Sequence, residues 1–345
     1  MTRVAIEPED GGSPGPYAAL TPEAILDAVD STGLRASGQV QALNSYENRV
    51  LQVGVEDPER AADRFVVAKF YRPGRWTEAQ ILEEHGFLAE LVEAEVPAVA
   101  PLATGGRTLH RFGDFLFALF PRRGGRTPEL SDEKVLERIG RFVGRLHAVG
   151  AREPFAHRIA LDPGTFGADP LRYLEESDWL PLELAAVYRG LARQCVEAAR
   201  SAFAATPFRG QRLHGDCHPG NLLWSESGPA PGPHFVDFDD SMNGPAVQDL
   251  WMLLSGSRQE MQAQLAALLR GYGLFARFDP RQTALIEPLR TLRLIHYAAW
   301  IARRWNDPAF PAAFPWFGEP RYWEARILEL REQQAAMQEP ALELP

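Results

Sequence analysis

The chain of 345 residues changes secondary-structure character once, at Pro121-Arg122-Arg123-Gly124-Gly125. Before that point Gln39–Leu43, Arg49–Val55 and Arg64–Phe70 are rich in β-branched and apolar residues, with turn chemistry at Asn44-Ser45 and Glu56-Asp57-Pro58. That pattern predicts a β-meander. Further strands are expected near Val99–Ala103, Thr108–Phe112 and Phe115–Phe120. One helix interrupts them from Thr77 to about Ala94, where Ile81, Leu88, Leu91 and Val92 recur at helical spacing. Another short helix, to about Asp30, is announced by Thr21-Pro22-Glu23: an N-cap, a proline in the first turn and an acid behind it. After the switch Asp132–Val149, Leu171–Glu176, Leu182–Ala205, Val247–Tyr272 and Ile286–Trp305 all favour helix. Strands grouped before helices predict an α+β chain of two lobes, β-rich over 21–120 and helical over 121–345. The Gly- and Pro-rich residues 1–20 are expected to be a disordered tail.

Charge and cysteine usage narrow the function classes. Lys and Arg number 36 against 46 Asp and Glu, and the formal charge of -10 repels a phosphate backbone, so nucleic acid is not an expected partner. Cys195 and Cys217 are too few for a disulfide framework and lack the spacing of a zinc site. A reducing cytoplasm is expected. The N-terminus breaks its apolar residues with acids, Gly and Pro, unlike a signal peptide, and no run approaches the roughly 18 apolar residues of a membrane span. No membrane partner is expected, and the chain should act as a monomer.

Inside the helical half lies a compact exception. Leu222–Trp224 and His234–Phe238 read as two short strands joined by the loop Ser225–Pro233, and they carry the runs RLHGDCHPGNLLW (212–224) and HFVDFDD (234–240). Such a hairpin returns Asp237 beside a loop holding Asp216 and Asn221. Phosphoryl transfer needs a carboxylate near the acceptor hydroxyl and hard oxygen ligands for Mg²⁺. Asp216 is therefore the candidate base or hydroxyl-orienting group, and Asn221 and Asp237 are the candidate metal ligands. Asp239 and Asp240 read as a solvated turn. His214 and His218 are expected to brace the loop by hydrogen bonding, and Cys217 to serve as a small hydrophobe. The aromatic residues between Trp300 and Phe317 read as core.

Upstream, Lys69 sits in the strand pattern RFVVAKFYRP, a compact charge suited to the α/β-phosphates of ATP. The following helix offers two adjacent acids to hold it. At about 100° per residue Glu84 falls between Ile81 and Leu91 on the apolar stripe while Glu83 points away, and a buried carboxylate needs a partner. Glu84 is the expected partner of Lys69. The turn Asn44–Asn48 is open between a plain β-turn and a cover for phosphates by its amides and the Ser45 hydroxyl.

At these residues HGDCHPGN resembles the H-G-D-x-H-x-x-N signature of the aminoglycoside phosphotransferase and choline kinase superfamily, and Asp237-Phe238-Asp239 resembles the D-F-G of protein kinases without its glycine. The runs LNSYENRV, KFYRPGRWT, ILEEH, NGPAVQDLWMLL and RRWNDPAFPAAFPWF, nearly the whole chain beyond the tail, are similar to the bacterial stress response kinase A family. That resemblance implies a protein-kinase-like bilobal fold and ATP as phosphoryl donor. It also implies a cytoplasmic role in stress response and transfer of the γ-phosphate to Ser or Thr of a protein, the enzyme itself included, with Asp216 as proton acceptor. It favours Ser45 as a nucleotide-binding residue, backbone contact to adenine from Ala118–Pro121, and Asp249 as a buried brace of the catalytic loop. No G-x-G-x-x-G precedes Lys69, a departure from eukaryotic kinases. A small-molecule kinase of the aminoglycoside, choline or homoserine type would use the same core, and a cationic acceptor would suit the charge of -10. A nucleotide-binding pseudokinase is disfavoured by the intact Lys69, Asp216, Asn221 and Asp237.

Overall fold

The computed structural model describes residues 15–56, 64–226 and 231–344. Helix α1 (Pro22–Asp30), capped by the Thr21 side chain, packs on a five-stranded antiparallel sheet. The strands are β1 (Ala36–Ala42), β2 (Arg49–Val55), β3 (Phe65–Phe70), β4 (His110–Phe112) and β5 (Phe115–Pro121), in the order β1-β2-β3-β5-β4. Strand period decides what each residue of β3 faces. Val66, Ala68 and Phe70 are buried with Ile25, Ala28 and Val29 of α1, while Val67 and Lys69 face the opposite side. In register, Lys69 lies opposite Val50 of β2 and Ala118 of β5.

Helix α2 (Glu78–Glu93) begins at a reciprocal cap between Thr77 and Gln80 and buries Ile81, Glu84, Phe87, Leu88 and Leu91. The helical half contains α3 (Glu133–Gly150), α4 (Asp169–Glu176) and α5 (Leu182–Ala205). It continues through the ladders formed by β6 (Gln211–Leu213) with β9 (Met242–Gly244) and β7 (Leu222–Ser225) with β8 (Gly232–Phe235). It ends with α6 (Gln248–Trp251), α7 (Arg258–Tyr272), α8 (Ile286–Arg303), α9 (Ala309–Ala313) and α10 (Pro320–Ala336). Two cores fill this half: one joins α3 and α7 to the hairpin, and the other joins α4, α5, α8 and α10. Helices α3 and α7 touch backbone to backbone, since a Cβ on Gly140 would fall 1.9 Å from the Leu268 carbonyl oxygen.

Several sequence expectations are corrected. Val99–Ala103 is not a sheet strand: Val99 N–H donates to Phe235 and Leu102 N–H to Leu119, without a continuous ladder. Pro97 and Pro101 have no N–H to give to one. The single helix expected over Val247–Tyr272 is two, because Gly256 turns at φ +88° and Ser257 then caps α7 reciprocally with Glu260. The second hairpin strand ends at Phe235, and Phe238–Asp240 is a 3₁₀ turn. Of the expected N-terminal tail, residues 1–14 lie outside the described residues, whereas Tyr17 is buried and its hydroxyl donates to the Glu47 carbonyl. The Glu56-Asp57-Pro58 turn beyond Glu56, and residues 227–230 of the hairpin loop, also lie outside them. Among the described residues no helix is long and apolar enough to cross a membrane.

Of the aromatic residues between Trp300 and Phe317, Phe310, Phe314 and Phe317 are buried core, Trp300 and Trp305 are half-buried against it, and Trp316 is exposed. This segment also ties the two halves together. The buried Asp307 pairs with Arg49 at 3.0 Å and Arg72 at 2.6 Å, and Trp300 Nε1 donates to Glu47 at 2.5 Å.

Candidate active site

A cleft of about 310 Å³ opens between the sheet and the helical half. Ser45, Lys69, Glu84, Asn221 and Asp237 all line it, so five of the six residues singled out in sequence meet in one cavity. Asp216 adjoins it: the Asn221 amide nitrogen donates to the Asp216 backbone oxygen at 3.0 Å and lies 3.4 Å from its carboxylate. Phe120 and Pro121 of β5 and Asn44 of the β1–β2 turn also line it.

Lys69 reaches the cleft because odd positions of β3 face it. Its ammonium stands 3.0 Å from Asp239, 3.2 Å from Asp237 and 3.9 Å from Glu84. Burial opposes its charge, but Asp239, Glu84 and Asp237 outweigh burial and hold Lys69 charged well above the ordinary lysine range. The helical-face argument placed the acids correctly: Glu84 is buried on the cleft side, while Glu83 accepts the backbone N–H groups of Ala156, His157 and Arg158 at 2.6–2.9 Å. The nearest partner of Glu84 is Arg158, at 2.7 Å. Burial pushes the Glu84 carboxyl up, and Lys69 and Arg158 pull it back.

The expectation for Asp239 is overturned. It is buried rather than solvated, paired with Lys69 and Arg75. Burial would raise its carboxyl, but Arg75, Lys69 and Arg158 hold it far below the usual carboxylate range. Asp240, half exposed, pairs with the other nitrogen of Arg75. Asp237 is one of two described non-glycine residues with positive φ, at 58°. Asp tolerates this left-handed conformation better than most residues, and such strain gathers at functional turns.

The loop that carries Asp216 is held from below. Asp249, fully buried, accepts from the backbone N–H groups of His214 and Gly215, each at 2.8 Å, and sits 3.0 Å from His147 Nε2. Gly215 turns at φ +86° with no room for a side chain, since its Cβ would fall 2.0 Å from the Asp240 carbonyl oxygen. His214 Nε2 meets the Val236 carbonyl at 2.9 Å and His218 Nδ1 accepts from Gly220 N–H, so both histidines brace the loop. Cys217 is buried among apolar side chains, and burial pushes its thiol well up.

Sequence reasoning missed three residues. Arg158 bonds Glu84, the backbone oxygens of Asp239 and Ser241, and the Gln80 carbonyl. Arg75 clamps Asp239 and Asp240, and Arg293 of α8 lies 2.6 Å from Asp216. None carries a local signal, since each acts across at least 74 positions. Arg75 alone lay within a run, KFYRPGRWT, that had drawn attention.

The donor set fits Mg²⁺. Among the described residues no cluster of three or more His, Cys, Asp or Glu could cage a metal, and the cleft instead offers the Asp237 carboxylate and the Asn221 amide oxygen. Magnesium beside nucleotide phosphates typically takes one or two protein oxygens and draws its others from phosphate and water.

Coupling between Lys69 and Glu84 is measurable. Lys69→Ala and Glu84→Ala should each raise KM for ATP, and the double variant should scarcely exceed the worse single one, with a coupling of roughly 0.5–3 kcal/mol. Glu83→Ala should instead lower the melting temperature with a smaller change in KM. Additive losses, or a larger KM effect from Glu83→Ala, would defeat the pairing.

Comparison with known proteins places the chain in a family. Residues 39–286 match the model of the phosphotransferase enzyme family. The chain is 44% identical over 328 residues to stress response kinase A of Escherichia coli K12, covering 95% of this chain and 97% of that one. It is 42% identical over the same span to serine/threonine protein kinase RdoA of Salmonella typhimurium, again covering 95% and 97%. Among solved structures, an amicoumacin kinase in complex with AMP-PNP, Ca²⁺ and Ami superposes with a TM-score of 0.70 at 15% identity, over 94% of this chain and 95% of that one. With the kinase-like α+β architecture and this coverage, the chain belongs to the stress response kinase A family within the phosphotransferase enzyme family.

Proposed function

We propose that the chain is an ATP- and Mg²⁺-dependent serine/threonine protein kinase acting in stress response in the cytoplasm, as a monomer, with its own hydroxyls among its substrates. The observation that carries the chemistry is the convergence of Lys69, Asn221 and Asp237 in one cleft with Asp216 beside it. The relatives named stress response kinase A and serine/threonine protein kinase support the acceptor class.

In this reading Lys69, fixed by Glu84, positions the α/β-phosphates, and the β1–β2 turn with Ser45 covers them. Asn221 and Asp237 would hold Mg²⁺, which when bound neutralises charge on the phosphates. Burial alone would raise the Asp216 carboxyl, but His218 and Arg293 outweigh it and hold the group below the usual carboxylate range. A carboxylate so depressed is a weak base. Its chief work is to orient the acceptor hydroxyl and receive its proton late, which suits a reaction governed by positioning.

The test is transfer of labelled γ-phosphate from Mg²⁺-ATP to proteins, to the enzyme itself and to choline, an aminoglycoside and homoserine. Phosphoserine or phosphothreonine should appear with wild type and vanish with Asp216→Ala. A far higher kcat/KM for one of the small alcohols would withdraw the protein-kinase reading and leave the phosphotransferase intact.

A further inference from the structure

One arginine lies directly against the carboxylate that an acceptor hydroxyl has to meet. Two donors flank Asp216: Arg293 Nη1 lies 2.6 Å from Oδ1, and His218 Nε2 lies 3.4 Å from Oδ2. Arg293 is nearly half exposed, so the pair faces solvent where an acceptor must enter. One turn further along α8, His296 stacks on Phe166 with ring centroids 4.5 Å apart. Burial, together with Arg304, Arg293, Arg303 and Arg75, pushes this imidazole down to about 3, so it stays neutral in a positive field. Arg304 is occupied by Glu47, and Arg75 by Asp239 and Asp240. The carboxylate paired with Arg293 is Asp216 itself.

Arg293 holds Asp216 Oδ1, while Oδ2 has only Asn221 and His218, each at 3.4 Å, and an acceptor hydroxyl that is to bond Oδ1 has to replace Arg293 there. Moving Arg293 aside costs an ion pair, and the arginine then needs another anion. An acceptor carrying a carboxylate next to its hydroxyl supplies one. An acceptor carrying an ammonium adds like-charge repulsion. We infer that Arg293 is the acceptor-specificity residue, and that the substrate is a Ser or Thr in an acidic peptide segment whose carboxylate takes Arg293 from Asp216. This inference rests on the protein-kinase reading. In the transfer, the bond from the γ-phosphorus to its bridging oxygen breaks, a bond to the Ser or Thr oxygen forms, the hydroxyl proton passes to Asp216, and ADP leaves with the electron pair.

Matched serine peptides flanked by Asp and Glu or by Lys and Arg decide the matter. With wild type the acidic peptide should have a kcat/KM about 10-fold or more above the basic one, mostly through KM. Arg293→Glu should reverse that order, Arg293→Ala should flatten it and Arg293→Lys should preserve it. A merely structural arginine would change stability or overall rate and leave the order alone. Equal use of both peptides by wild type, or an order unchanged in Arg293→Glu, overturns the inference while the protein-kinase reading stands. If no peptide is phosphorylated but small alcohols are, that reading fails, and a hydroxy acid set against an amino alcohol then decides. Preference for the hydroxy acid sustains charge selection by Arg293, and preference for the amino alcohol ends it.

Discussion

Asp216→Ala should lower turnover by about 10²–10⁴-fold, the usual loss for a positioned proton acceptor, while ATP affinity and the melting temperature change little. The structure explains why the damage should stay local. Asn221 donates to the backbone oxygen of Asp216, which alanine retains, so Asn221 keeps its anchor. The loop stays pinned by Asp249 through His214 and Gly215. Arg293 loses its partner but is nearly half exposed, so water can solvate it at modest cost. Nucleotide binding by calorimetry and circular dichroism provide the controls, and steady-state transfer provides the reading. Activity within a few-fold of wild type would remove Asp216 from its role.

Asp249→Ala should act by the opposite route, through stability first. The carboxylate is fully buried and meets two backbone N–H groups and His147, so alanine leaves three polar groups without their acceptor where water does not reach. Removing one member of such a buried network costs about 3–5 kcal/mol, which should appear as a clear fall in the denaturant midpoint with an unchanged slope. Turnover of the fraction that stays folded should fall as well, because the Asp249 carboxylate pins the backbone of His214 and Gly215 immediately before Asp216. Asp249→Asn keeps the shape and one acceptor oxygen and should fall between the two. A midpoint within about 1 kcal/mol of wild type would mean that the loop is held by other contacts, of which the Gln248 bond to the Gly215 carbonyl at 2.7 Å is the next candidate.

The two lobes, most helices and the residues that meet at the candidate site were legible in the sequence. Those features rest on local physics: strand alternation that turned Lys69 away from the α1 core, helical rotation that separated Glu84 from Glu83, and a short hairpin that returned Asp237 to Asn221. Short-range signals failed where the local pattern is weak or broken. The three-residue ladder of β6 and β9 is too short to show a period, and helix α10 did not emerge from its mixed residues. The break before α7 was written as Ser257-x-x-Glu260, a cap that the apolar pattern around it obscured.

By itself the sequence determined the candidate site's spacing, because Asp216, Asn221 and Asp237 lie within 22 consecutive residues and Lys69 occupies a strand position whose facing follows from alternation. Only the tertiary structure decided which charges surround them. Asp239 looked like a solvated turn until Lys69 and Arg75 were brought onto it from more than 160 residues away, and α8 set Arg293 against Asp216 from 77 positions away. Asp307 likewise ties the aromatic segment to the sheet through Arg49 and Arg72. Burial and ion pairing depend on what the folded chain places nearby, and an arginine whose partner lies far along the chain has no periodicity or spacing to reveal it.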